Sequence, residues 1–206
     1  MPPHFALSEL VIVVSAAICA KALLLHRQYI AATAIAVLGF AALLGAARFG
    51  LQWHEALGTI HPMLTQKGSV LAIILLVAAM IGTIGDTAIH RNLKAFLVPV
   101  AIGLTILSIW LPVATMMVLL AGGIILPILA LMASHQQLNM RLAHGFTLSL
   151  FVFGLVFIRR SPVLGPELSF HLYHIVIAVW LIGVSSAIIY APPNTPARPL
   201  ARMLGF

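Results

Sequence analysis

The sequence predicts an all-α fold, a polytopic integral membrane protein that forms a seven-transmembrane helix bundle in one domain, residues 1–206. Three observations lead there. Apolar residues make up 62 % of the chain and charged ones only 7 %, whereas a soluble domain carries about 25 % charged residues. Mean hydropathy is +1.14. Finally, apolar runs close to the roughly 20 residues that cross a bilayer core recur along the whole chain. Such a chain cannot cover a water-facing surface. A soluble enzyme, a disordered protein and a disulfide-stapled secreted module are therefore excluded. Cys19, the one cysteine, lies inside an apolar run, so an intrachain disulfide and a CxxC site are excluded too.

Taken in order, the runs fall near 6–25, 29–51, 69–89, 95–111, 113–133, 143–158 and 168–191, followed by a Pro-rich tail, 192–206. The first run lacks a basic leader and leads directly into another, so it is expected to stay as a span rather than be removed as a signal peptide. Only Leu111 and Pro112 separate the fourth and fifth runs, which calls for a tight turn or one kinked element. Pro99, Pro112 and Pro127 are tolerable because neighbouring helices can satisfy the carbonyls they free. No internal repeat divides the chain.

Eleven Lys and Arg against four acids give a net charge of +7. The bases stand singly at the ends of apolar runs, a pattern of loops facing lipid headgroups rather than nucleic acid. Membrane lipid is thus the expected partner; partner subunits of a membrane complex are left open. Lys21, Arg27, Arg91, Lys94, Arg141, Arg198 and Arg202 fall on one side, and Arg48, Lys67, Arg159 and Arg160 on the other. The richer side is expected to be cytoplasmic, with the N-terminus outside and the C-terminus cytoplasmic, in a bacterial inner (plasma) membrane.

Nine histidines against four acids is an unusual ratio. Neutral imidazole offers a lone pair at little cost, which suits it to buried ligation. His54, Glu55, His61, Glu167, His171 and His174 fall at the outer ends of the second and seventh runs. His171 and His174, three apart, share a helix face. His54 and His61, seven apart, share one if the second helix reaches that far, with Pro62 as its limit. Four imidazoles, or three with a water, make a shell for zinc, and Glu55 or Glu167 could act as second-shell partner or general base. The alternative is that these histidines meet water and headgroups and that Glu167 serves the helix dipole. His26, Asp86, His90, His135 and His144 fall at the inner ends. There Asp86 is expected to pair with Arg91, Lys94 or Arg141.

Haem b competes for the same imidazoles: His54 or His61 with His171 or His174, and Arg48, Lys67, Arg159 or Arg160 near the propionates. The four-turn repeat of two-haem cytochrome helices is absent. Retinal binding would need a lysine in the seventh run, which has none, and no GxSxG elbow or nucleotide-binding glycine motif occurs. Gly122-Gly123 reads as helix packing. Met63, Met116 and Met117 leave copper(I) handling open.

Two segments resemble a known family. Gly50-Leu-Gln-Trp-His54-Glu-Ala-Leu57 is similar to the helix-two motif of the CREST superfamily of alkaline ceramidases and adiponectin-receptor-like proteins. Phe170-His171-Leu-Tyr-His174-Ile resembles its paired-histidine motif in helix seven. The resemblance implies seven spans and a zinc ion held by His54, His171 and His174 for lipid amide hydrolysis. Here Gly50 stands at the family's serine, the paired histidines are three rather than four apart, and only His61 can replace the family aspartate. The expectation is therefore a zinc-dependent hydrolase of a lipid-like amide or ester, with His54, His61, His171 and His174 as ligands and Glu55 or Glu167 as base. A haem-binding redox subunit, or a non-catalytic scaffold or transporter, is the alternative.

Overall fold

A computed structural model describes residues 3–84, 88–133, 136–159 and 161–190, without the side chains of 83, 84, 88–91 and 94. Every regular element among the described residues is helical. The long helices are α1 (Phe5–Leu25), α2 (Tyr29–Gly50), α4 (Ile60–Ile84), α5 (Ala88–Trp110), α6 (Pro112–Met132), α7 (Leu138–Phe153) and α8 (Gly165–Ile189), with a short α3 (His54–Leu57) after α2. A π-helical turn, Gly154–Ile158, continues α7.

Successive packing of α1 on α2, α2 on α4, α4 on α6, α6 on α7, α7 on α8 and α8 on α1 closes a ring of six helices. The fifth helix, α5, stands outside it against α4 and α6. Leu23, Ile35, Leu76, Trp180, Leu181 and Val184 lie fully inside. Their outward counterparts are as apolar as they are. On α1, Leu7, Val11, Val14 and Ile18 are exposed at helical spacing, while Ser8, Glu9, Ile12, Ala16 and Cys19 face inward. A helix with an apolar outer stripe and its only acid inside is built for lipid as solvent.

Among the described residues, six helices are long and apolar enough to cross a membrane: Phe5–Leu25, Tyr29–Gly50, His54–Gly82, Pro112–Met132, Leu138–Ile158 and Gly165–Ile189. The apolar stretch of α5, Ala95–Trp110, is shorter. Between lipid-facing helices, association depends on close backbone approach through small residues. The buried face of α2 accordingly reads Ala31, Ala32, Ala34, Ala41, Ala42, Gly45 and Ala46.

The third run was expected to start near residue 69, but the helix starts at Ile60. Consequently His61 sits in the first turn of α4, not two turns beyond His54 on α2. The α2 helix stops at Gly50, and Gln52 adopts a left-handed φ of 57°. Gln52 Nε2 donates to the Phe49 carbonyl at 2.5 Å and its Oε1 accepts from His54 Nε2 at 3.0 Å, so one side chain fixes the turn. Pro62 is harmless where it falls, because first-turn N–H groups have no intrahelical acceptor.

Lys67 and Arg141 are not loop bases. From within α4, Lys67 Nζ donates to the Ser108 carbonyl at the end of α5 and to Thr115 Oγ1 of α6 at 3.3 Å. Pro112 has no N–H to offer the carbonyl four residues back, and the lysine fills that role. Arg141 of α7 donates through Nε to the Leu131 carbonyl at 2.6 Å, closing the end of α6. The expected partners Asp86, Arg91 and Lys94, together with His90, His135, Arg160 and the tail 192–206, lie outside the described residues or side chains.

Candidate functional site

At the end of the ring formed by the first turns of α1, α4 and α8 and the last turn of α2, four helices bring polar side chains together. Glu9, in the second turn of α1, is 4 % exposed. Its Oε1 lies 3.4 Å from His174 Nε2 and 3.7 Å from His61 Nε2. One residue earlier, Ser8 Oγ bonds His171 Nδ1. The i, i+3 spacing of His171 and His174 thus matches the adjacent pair Ser8 and Glu9 across the α1–α8 interface. Gly45 makes the room. A Cβ there would fall 2.5 Å from Glu9 Oε1 and 2.8 Å from His61 Nε2.

Partners on the far side of each ring fix where its protons are. Arg48 Nη1 stands 3.4 Å from His61 Nδ1. Guanidinium has only donors, so Nδ1 accepts and His61 carries its hydrogen on Nε2, toward Glu9. His174 Nδ1 stands 2.7 Å from the Phe170 carbonyl, which can only accept, so that nitrogen carries a hydrogen. The remaining contact, His174 Nε2 to Glu9, would set a lone pair against a carboxylate if both groups were deprotonated.

Phenylalanines enclose the cluster. Phe5 and Phe170 have ring centroids 4.3 Å apart, Phe49 lies 5.9 Å from Phe170, and Phe170 stacks on His174 at 4.0 Å. In such surroundings charge interactions are strong and an unmatched charge is costly.

Of the expected site residues, His61 and His174 do meet, through a carboxylate the sequence reading passed over. His171 is given to Ser8, and His54 to the Gln52 turn. Glu55 and Glu167 are exposed, the latter in the first turn of α8. Among the described residues, no group of three or more His, Cys, Asp or Glu is arranged to hold a metal ion. The set implied by the resemblance, His54, His171 and His174, is not among such groups: His54 Nε2 bonds Gln52, His171 Nδ1 bonds Ser8 and His174 Nε2 faces Glu9. Of the pairs considered for haem, His61 and His174 both turn Nε2 toward Glu9 Oε1. The missed residues had a signal. Glu9 is an acid inside an otherwise apolar run, which marks a functional position by default.

At the opposite end of the ring, His144 is a fully satisfied tie. Its Nδ1 lies 3.0 Å from Gln136 Oε1 and its Nε2 3.1 Å from Ser186 Oγ, joining α7 to α8.

No family model, curated protein or solved structure matches this chain.

Proposed function

We propose that the chain is a seven-span membrane protein that carries out general acid–base chemistry at Glu9 and His174. The reaction class is hydrolysis of a lipid-like ester or amide. In this reading α5 is the seventh span, the N-terminus is outside, and the membrane is a bacterial inner membrane. The observation that carries the reading is the contact at 3.4 Å between the buried Glu9 Oε1 and His174 Nε2, on a ring whose Nδ1 is already committed to the Phe170 carbonyl; in this reading one proton is shared across that contact. A pair of this kind can give a proton to a leaving group and take one from an attacking hydroxyl without a net change of charge in the site. Ser8, one position before Glu9, and His171, three before His174, add a hydroxyl beside a base. The position at a helix end, near headgroup depth, suits a lipid's polar linkage.

The test uses protein in lipid nanodiscs. Glu9→Gln keeps the size of the side chain but replaces the carboxylate with an amide that neither takes up nor releases a proton. Hydrolysis of a panel of lipid esters and amides, followed by mass spectrometry, is expected to fall on the order of 10²–10⁴-fold in this variant. Wild-type turnover surviving in Glu9→Gln overturns the acid–base role. Independently, the wild type at neutral pH shows either a doubly protonated His174 by nitrogen NMR or a protonated-carboxyl infrared band lost in Glu9→Gln. Absence of both refutes the shared proton.

A further inference from the structure

Among the described residues, Arg48 has more donors than acceptors to meet them. It lies in the last turn of α2, half-buried, with its guanidinium 5.5 Å above the Phe49 ring. Its polar contact is the 3.4 Å bond from Nη1 to His61. Its Nε is fully buried and has no partner. Among the described residues it forms no ion pair, and Glu9, the buried carboxylate nearby, faces His61 and His174 instead.

A guanidinium taken partly out of water without a counter-charge is unfavourable, and the cost falls when an anion binds it. A guanidinium is a planar fork whose donors match two oxygens of one phosphate; here Nε is enclosed and Nη1 shares a hydrogen with His61, so the hydrogens left on the two terminal nitrogens face the anion. A neutral ester carbonyl would leave most of that fork unused. The first turns of α4 and α8 lie at the same end, and their dipoles favour negative charge there.

We infer that Arg48 anchors a phosphate-type anion beside the Glu9 cluster. The inference rests on the acid–base reading above and gives its substrate class, a lipid-like molecule with a phosphate group. The anion's source is either a lipid headgroup or free phosphate, and both present the same oxygens to Arg48. His61, bonded to Arg48 on one side and facing Glu9 on the other, links the anchor to the proton-sharing pair.

The experiment uses the full chain in a phosphate-free maltoside detergent, titrated separately with inorganic phosphate and with dihexanoyl phosphatidic acid. Thermal unfolding and the nitrogen shifts of the His61 ring are recorded. The wild type is expected to show a saturable rise in midpoint with a shift at His61, and Arg48→Gln to need at least about tenfold more ligand, the equivalent of 1.4 kcal/mol. Lys21→Gln, which removes a base at the far end of α1, is expected to behave as the wild type. A response to phosphatidic acid alone assigns a headgroup, and a response to both probes assigns the phosphate group itself. No shift at His61 with either probe, or equal responses in wild type and Arg48→Gln, overturns the site. Should Arg48→Gln fail to fold, Arg48→Lys is expected to bind more weakly than wild type, because a point charge replaces the fork. Undiminished binding there refutes the fork. The Glu9→Gln hydrolysis result is read separately, so failure of the anchor and failure of the acid–base centre remain distinct.

Discussion

Replacing Lys67 by methionine tests how the α5–α6 junction is held. The ammonium reaches out of α4 to the Ser108 carbonyl and to Thr115 Oγ1. Methionine keeps most of the apolar stem and removes both bonds. Leaving one carbonyl unpaired away from water costs about 1–3 kcal/mol. Interhelical hydrogen bonds in membranes average nearer 0.6 kcal/mol, because the unfolded chain also finds partners there. The Thr115 bond is long and adds little. Relief from holding a half-buried cation offsets part of the loss. Lys67→Met is therefore expected to lose about 1–2 kcal/mol, roughly a five- to thirtyfold rise in the unfolded fraction. Lys67→Arg, which keeps a donor, should retain most of the stability, and Thr115→Val should lose a few tenths of a kcal/mol. Reversible unfolding in mixed detergent–SDS micelles measures all three. A Lys67→Met protein as stable as the wild type would show that the ammonium does not serve as the cap on α5.

Three further outcomes follow from the same contacts. Gly45→Ala pushes a methyl group into Glu9 and His61; thermal unfolding should show a loss of about 1–3 kcal/mol from overpacking, with changed His61 ring shifts in the NMR spectrum. His144→Ala strands Gln136 and Ser186 and should cost about 1–3 kcal/mol in the same unfolding assay without altering the His174 signals at the other end. His54→Ala removes one bond of an exposed turn and should cost no more than about 1 kcal/mol; a loss of hydrolysis as large as that of Glu9→Gln would return His54 to the site.

Composition made the bundle legible, because each helix needs a stretch of apolar residues and little else in the chain competes with that signal. Helix ends were legible where the run itself stops, as at Leu25 and Tyr29. They were not where a side chain makes the turn. Gln52 ends α2 by satisfying both the Phe49 carbonyl and His54, and nothing in hydropathy reports a left-handed glutamine. Moving the start of α4 back to Ile60 carried His61 from one helix to another, which changed the partners it could have. The pairing of α1 with α8 was equally hidden. Spacing within a helix shows that His171 and His174 share a face, but not that Ser8 and Glu9 stand opposite. The acid in the first run could have been singled out from sequence, since only four acids occur in the chain and Glu9 and Asp86 are the two that fall inside the apolar runs.

The two polar ends of the ring also bear on what kind of membrane protein this is. His174 and Ser186 both lie on α8, twelve residues apart and hence separated by about 18 Å along the axis. Between them α8 turns Ile177, Trp180, Leu181 and Val184 inward, against a core that includes Leu23, Ile35 and Leu76. These close-packed apolar side chains give a proton no acceptor to move along. Glu9 and His174 should therefore exchange protons with one side of the membrane only. In proteoliposomes with an internal pH dye, an imposed membrane potential is expected to drive no more proton flux through the wild type than through Glu9→Gln. Flux that requires Glu9 would mean the core opens, and would make the cluster one gate of a proton-coupled transporter. Its absence leaves the shared proton to chemistry at the interface, where the phenylalanines hold it away from water and Arg48 is placed to hold an anion beside it.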